Sequence, residues 1–279
     1  MKRFVLPVVA VLLLAGCAGE PPIDDLPPAS PPLFSESGAI GLVNLWKVTD
    51  AAGEAQEMWL RLDVNEFQLW GDCGVIWGSW RATDSLFLAD ANSPTFDCPA
   101  IDSIPAVDWL ESAISFAETS DGYELLSDDG EVVASLTIDG APEPIDTAAE
   151  FYTQPPEITA EVRAQFAVPA PLGADFAPAS VDALQGRWTP TEKAPTDPHV
   201  EFNSDETWIG SDGCNGGSGR WTVADSGEFL ATSGPSTLMW CEGAPVPTWV
   251  AQASAAGFDA AGVLHLFDSA GTTLGTLTR

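Results

Sequence analysis

Two stretches of the chain repeat one spacing of tryptophan and cysteine, and this constrains the fold more than any single motif. Trp46 lies 27 residues before Cys73, Trp80 lies 7 after it and Cys98 lies 25 after it. Further on, Trp188 lies 26 before Cys214, Trp221 lies 7 after it and Cys241 lies 27 after it. Each second cysteine is followed by a proline and a tryptophan, Pro105 with Trp109 and Pro247 with Trp249, inside an apolar stretch of helical spacing. Each stretch closes on a hairpin-like pattern, "YELLSDDGEVVASLTI" and "VLHLFDSAGTTLGTLT". Self-similarity of this kind predicts two copies of one fold.

The local patterns within a copy predict strands. "HVEFNSDETWIG" alternates on either side of Asn203, Ser204 and Asp205, and "GRWTVADSGEFLAT" does so around Asp225, Ser226 and Gly227. The apolar residues around Trp109 (Val107, Leu110, Ile114) and Trp249 (Val250, Ala253) are spaced for one helix apiece. The expected class is mainly β (α+β): two tandem small antiparallel sheets or open barrels, each with one helix and one disulfide. A chain of 279 residues exceeds what one ordinary core needs. Eleven tryptophans and 45% hydrophobic residues exclude global disorder.

The N-terminus gives an address. Lys2 and Arg3 precede an apolar run from Phe4 to Leu14, and Leu14-Ala15-Gly16-Cys17 follows. A basic start, a short apolar core and small residues at a cut site make an export signal. The last four residues resemble the lipobox of bacterial lipoproteins, which implies acylation of Cys17 and anchoring to the extracytoplasmic face of a bacterial membrane. Residues 1–16 are therefore expected to be the signal peptide. Residues 17–40, with six prolines, make the membrane tether. Residues 41–140 form the first unit, 141–182 a proline-rich linker with a short helix suggested by Ile158, Val162 and Phe166, and 183–279 the second unit.

Loss of the signal would remove two basic residues and no acid, leaving 8 basic against 41 acidic residues and a net charge of −33. Such a surface repels nucleic acid, so no nucleic-acid partner is expected. Acidity alone does not make a calcium site, and no EF-hand loop is present. Outside the cytosol four cysteines favour disulfides. They allow three connectivities, and the repeat favours Cys73 with Cys98 and Cys214 with Cys241.

The second unit resembles the META (HslJ-like) domain of bacterial envelope proteins. The resemblance rests on Trp188, on Gly213-Cys214-Asn215 with Gly219-Arg220-Trp221, on Thr237, Met239 and Cys241 as T-x-M-x-C, and on Leu264 and Leu266 of a closing hairpin. It implies a compact β-rich fold with a helix, export or lipid anchoring and a link to envelope stress tolerance, with no established enzymatic activity. The first unit departs from this pattern: Gly74 replaces the asparagine, and Thr95-Phe96-Asp97-Cys98 is one residue short of T-x-M-x-C. It is predicted to be a divergent copy.

No motif supplies a reaction. "GSDGCNGGSGRW", residues 210–221, fails as a nucleophile elbow because Arg220 stands where glycine is required. It fails as a phosphate loop because no lysine follows. Asn215 is the candidate for a turn-forming or ligand-contacting residue. No C-x-x-C occurs and only His199 and His265 could complete a metal site, so no metal or cofactor is expected. His265, between Leu264 and Leu266, is expected to face outward as an ordinary histidine. The tryptophans, Trp59, Trp70 and Trp77 among them, are read as packing residues before a sugar-stacking or partner-binding patch. The functional expectation is a non-enzymatic, lipid-anchored binding or stabilising module with an envelope protein or glycan as partner. The alternatives are a carboxylate-based extracytoplasmic hydrolase and a protein inhibitor of an extracellular enzyme.

Overall fold

Alternating apolar side chains in the first half fold into β1 (Asn44–Thr49), β2 (Met58–Leu62), β3 (Glu66–Gly71), β4 (Gly74–Ala82) and β5 (Phe87–Phe96). A single helical turn, α1 (Asp108–Glu111), leads into β6 (Ser115–Glu118), β7 (Gly122–Leu126) and β8 (Val132–Thr137). The connecting segment carries α2 (Ala160–Gln165), β9 (Ala177–Pro178) and α3 (Val181–Leu184). The second half gives β10 (Gly186–Pro190), β11 (His199–Phe202), β12 (Thr207–Ser211), β13 (Gly216–Val223), β14 (Phe229–Ala231), α4 (Val246–Gln252), β15 (Ala255–Phe258), β16 (Leu264–Phe267) and β17 (Thr273–Thr278). This computed structural model describes residues 37–51, 57–71, 74–96, 107–240 and 242–279.

All pairings in the two sheets are antiparallel, so the protein is mainly β. The first sheet runs β5-β4-β3-β2-β1-β8-β7-β6 and the second β14-β13-β12-β11-β10-β17-β16-β15, with β9 added at the far edge. The two orders are the same when each half is counted from its own first strand, and each places its helix between the fifth and sixth strands. Detailed bonds repeat as well. The Trp46 indole donates to the Leu42 carbonyl at 2.7 Å, and the Trp188 indole to that of Leu184 at 2.6 Å. The Phe87 amide donates to Ile114 at 2.7 Å, and the Phe229 amide to Ser254 at 3.0 Å. The spaced tryptophans thus occupy equivalent places, and Trp46, Trp80, Trp188 and Trp221 are all buried in two matching cores.

Two of the short helices pack on the sheets, α1 against β5 and β8, and α4 against β11 to β14 and β17. Pro247 stands in the first turn of α4, where its missing N–H costs nothing, and Val246 and Val250 enter the core. Gly275 lets the Trp249 ring lie directly on β17, where a Cβ would strike it. Segment 141–182 leans on both sheets. Phe166 packs 5.8 Å from Trp80 in the first core, the Ala170 amide donates to Ser269 at 2.9 Å, and β9 pairs with β15. Phe34–Arg279 accordingly form one compact unit with two lobes.

The lobes meet along their edge strands. Leu86 and Leu88 pack on Leu230 and Ala224. Arg81, on the fourth strand of the first lobe, donates from Nη1 to the carbonyls of Ala251 at 2.6 Å and Ala253 at 2.8 Å, at the end of α4. Arg220, on the fourth strand of the second, donates to the Ala89 carbonyl at 3.2 Å and to that of Glu111, at the end of α1.

Candidate functional site

The stretch 210–221 spans the junction of β12 and β13, and its glycines serve close packing. Gly213 has φ 105°, a left-handed conformation that a side chain resists, and a Cβ there would strike Thr196. A Cβ on Gly219 would meet the Thr232 carbonyl and the Trp208 ring. The glycines therefore admit neighbours on the sheet where a phosphate-binding loop would hold a ligand.

Asn215 is buried, with 7% of its surface exposed. Its Nδ2 donates to Asp212 Oδ2 at 2.8 Å and to the Met239 carbonyl at 2.7 Å. Its Oδ1 accepts from the Met239 amide at 2.7 Å and from Thr237 Oγ1 at 2.8 Å. All four hydrogen-bonding positions of the amide are thus used within the protein. Asp212 also accepts from the amides of Cys214 at 2.8 Å and Asn215 at 2.6 Å. Burial works against the Asp212 carboxylate, but these bonds outweigh it and hold its pKa below the usual value.

The segment that Asn215 holds is exposed. Residues 232–240 contain no helix, strand, turn or bend. Leu238 is 98% exposed, Trp240 86% and Met239 59%. Ser236 Oγ ties the segment again, donating to the Gly216 carbonyl at 2.6 Å. Three large apolar side chains therefore stand in water on a loop fixed from beneath. Sequence reasoning missed them, having used Thr237 and Met239 only as family signatures. An uncharged run of 232–240 that fits no strand alternation was the available signal.

The other candidate residues lie elsewhere. Cys17, Cys73, Cys98 and Cys241 are outside the described residues, while Cys214 sits exposed in the Asp212 turn. Trp70 is buried; Trp59 and Trp77 are half-buried, Trp77 edge-on to Tyr152 at 4.7 Å. His265 is half-buried against Phe176, with Nε2 3.3 Å from Asp259. Among the described residues no three His, Cys, Asp or Glu side chains group as a metal site.

A cleft of about 790 Å³ lies between the lobes, lined in part by Ser79, Arg81, Thr232, Ser236, Leu238 and Asp268. The Asp268 carboxylate accepts from the Ala270 and Thr272 amides at 3.0 and 2.8 Å, which makes it a turn residue. Burial, with help from Glu111, pushes Asp90 up, but Arg220 and a bond from Thr232 oppose the shift.

Residues 180–270 match the family model of the META domain. The C-terminal lobe is a META domain. In this META lobe Asn215, which follows Cys214, holds the exposed segment described above. No curated protein and no solved structure matches the chain.

Proposed function

We propose that this is a lipid-anchored cell-envelope protein acting as a non-enzymatic binding module, with the META lobe presenting residues 236–240 to a protein partner. The observation that carries the reading is the pairing of Leu238 and Trp240, almost fully exposed, with a buried asparagine that fixes the backbone of Met239 between them. Exposed apolar groups on a rigid support are typical of recognition surfaces, since little entropy remains to be lost on binding. The use of Asp268 in a turn favours binding over carboxylate chemistry. Acylation of Cys17, a tether over residues 17–40 and a part in envelope stress tolerance belong to the same reading. So does a common origin of the lobes, supported by the identical strand order.

A photo-cross-linking residue at position 240, compared with one at the exposed Ile138, tests it in living cells. The expected result is one discrete adduct from position 240. Adducts with bulk membrane proteins from both positions would overturn the reading. Cys17→Ala should move the protein out of the membrane fraction, and retention there would remove the anchor.

A further inference from the structure

We propose that residues 236–240 are a peptidase-binding loop, with the peptide bond between Leu238 and Met239 as its reactive bond. The partner is an exported serine peptidase whose primary pocket takes a large apolar side chain. The inference rests on the binding-module reading above and gives it a partner class.

A peptidase binds its substrate as an extended strand and inserts one side chain into its main pocket. Residues 232–240 run without turn or bend, carry no charge, and project Leu238 further than any other large hydrophobic side chain among the described residues. The residues beside Leu238 are held and Leu238 is not. Ser236 is tied to Gly216, Thr237 is tied through its hydroxyl to Asn215, and Met239 is tied through both its amide and its carbonyl to the same Asn215. One buried side chain therefore grips the chain on both sides of the exposed Leu238, at Thr237 and at Met239.

This arrangement makes a poor substrate and a good ligand. Attack by the peptidase serine on the Leu238 carbonyl would form an ester to Leu238 and release the Met239 amino group, which takes the proton. Asn215 Oδ1 would still hold that amine beside the ester, and its return would displace the serine and remake the peptide bond. Water must compete with a neighbour already in place, and hydrolysis to a Leu238 carboxylate and a Met239 ammonium is correspondingly slow. The loop is also ordered before it binds, so association loses little conformational freedom.

The test uses the full chain with chymotrypsin and subtilisin as probes and trypsin as the contrast. Inhibition of chymotrypsin or subtilisin near stoichiometric ratio is expected, with at most one slow nick between Leu238 and Met239. Leu238→Lys, a change at a side chain 98% exposed, should leave the fold intact. It should weaken chymotrypsin binding about 100-fold, as for a binding hot spot, and create inhibition of trypsin. Asn215→Ala should be nicked faster at the same bond. Rapid cutting without inhibition, no effect on either apolar-specific probe, or a Leu238→Lys variant with unchanged preference would each overturn the proposal. A discrete adduct from position 240 alongside any of those results would leave the binding module standing with another partner. Failure of both experiments would remove both.

Discussion

Arg81 and Arg220 hold the lobes together reciprocally, each reaching from the fourth strand of its own lobe to the C-terminal end of the other lobe's helix. A helix end leaves carbonyls unpaired and carries partial negative charge, so a guanidinium there meets both needs. Burial pushes the Arg81 guanidinium down to about 10, which leaves it charged at neutral pH. Its charge thus faces peptide dipoles inside a joint otherwise closed by Leu86, Leu88 and Leu230.

Arg81→Ala and Arg220→Ala should each cost about 2–4 kcal/mol, because hydrogen bonds to a charged group are lost and buried carbonyls are stranded. Denaturant midpoints measure this, with the slope reporting whether the lobes still unfold together. A loss under about 0.5 kcal/mol for both, the range of ordinary surface changes, would show that the arginines do not hold the joint.

Trp240 should dominate the water-accessible tryptophan emission. It is 86% exposed, whereas the other ten tryptophans are buried or half-buried. Trp240→Phe is expected to remove most of the acrylamide-quenchable fluorescence while leaving the melting temperature unchanged. Equal quenching of the variant and the parent would mean that the segment is folded against the protein in solution.

The parts of this fold that could be read from sequence are those fixed by near neighbours. Trp46 and Trp188 each bond a carbonyl four residues away, and the paired strands that follow are separated by short turns, so spacing and alternation carried the information. The long-range features were not legible. Arg81 meets Ala251 across 170 residues, and nothing local distinguishes it from any strand arginine. Phe166 looked like one face of a linker helix, but its burial depends on Trp80. Leu238 and Trp240 were hidden for the opposite reason, because apolar residues are assigned to cores by default and these two are not in one.

Acid should loosen the Asn215 clamp. The Asp212 pKa is lower in the folded protein than in the unfolded chain, so the unfolded chain binds the proton more readily as pH falls. The stabilisation is complete above the ordinary carboxylate value near 3.8 and disappears as pH drops through the lower folded value. Asp212→Asn should therefore cost about 1 kcal/mol at pH 7, given partial solvent screening. The two proteins should converge in stability as pH falls below the ordinary carboxylate range. A gap that stays constant with pH would exclude the carboxylate charge as its source.

The pairing of Cys214 with Cys241 is the proposal that the Asn215 network most directly supports. Asn215 adjoins Cys214 and holds Met239, two residues before Cys241, so the two cysteine-bearing segments are already drawn together. A bridge closing a loop of this length should add about 3–4 kcal/mol by restricting the unfolded chain. Cys214→Ser and Cys241→Ser should then be destabilised equally, and the double variant should be no worse than either single one. Reduction should bring the parent down to the same midpoint. Additive losses in the double variant would mean that the two sulfurs act separately, and the exposed loop would then owe its rigidity to the bonds from Asn215 and Ser236.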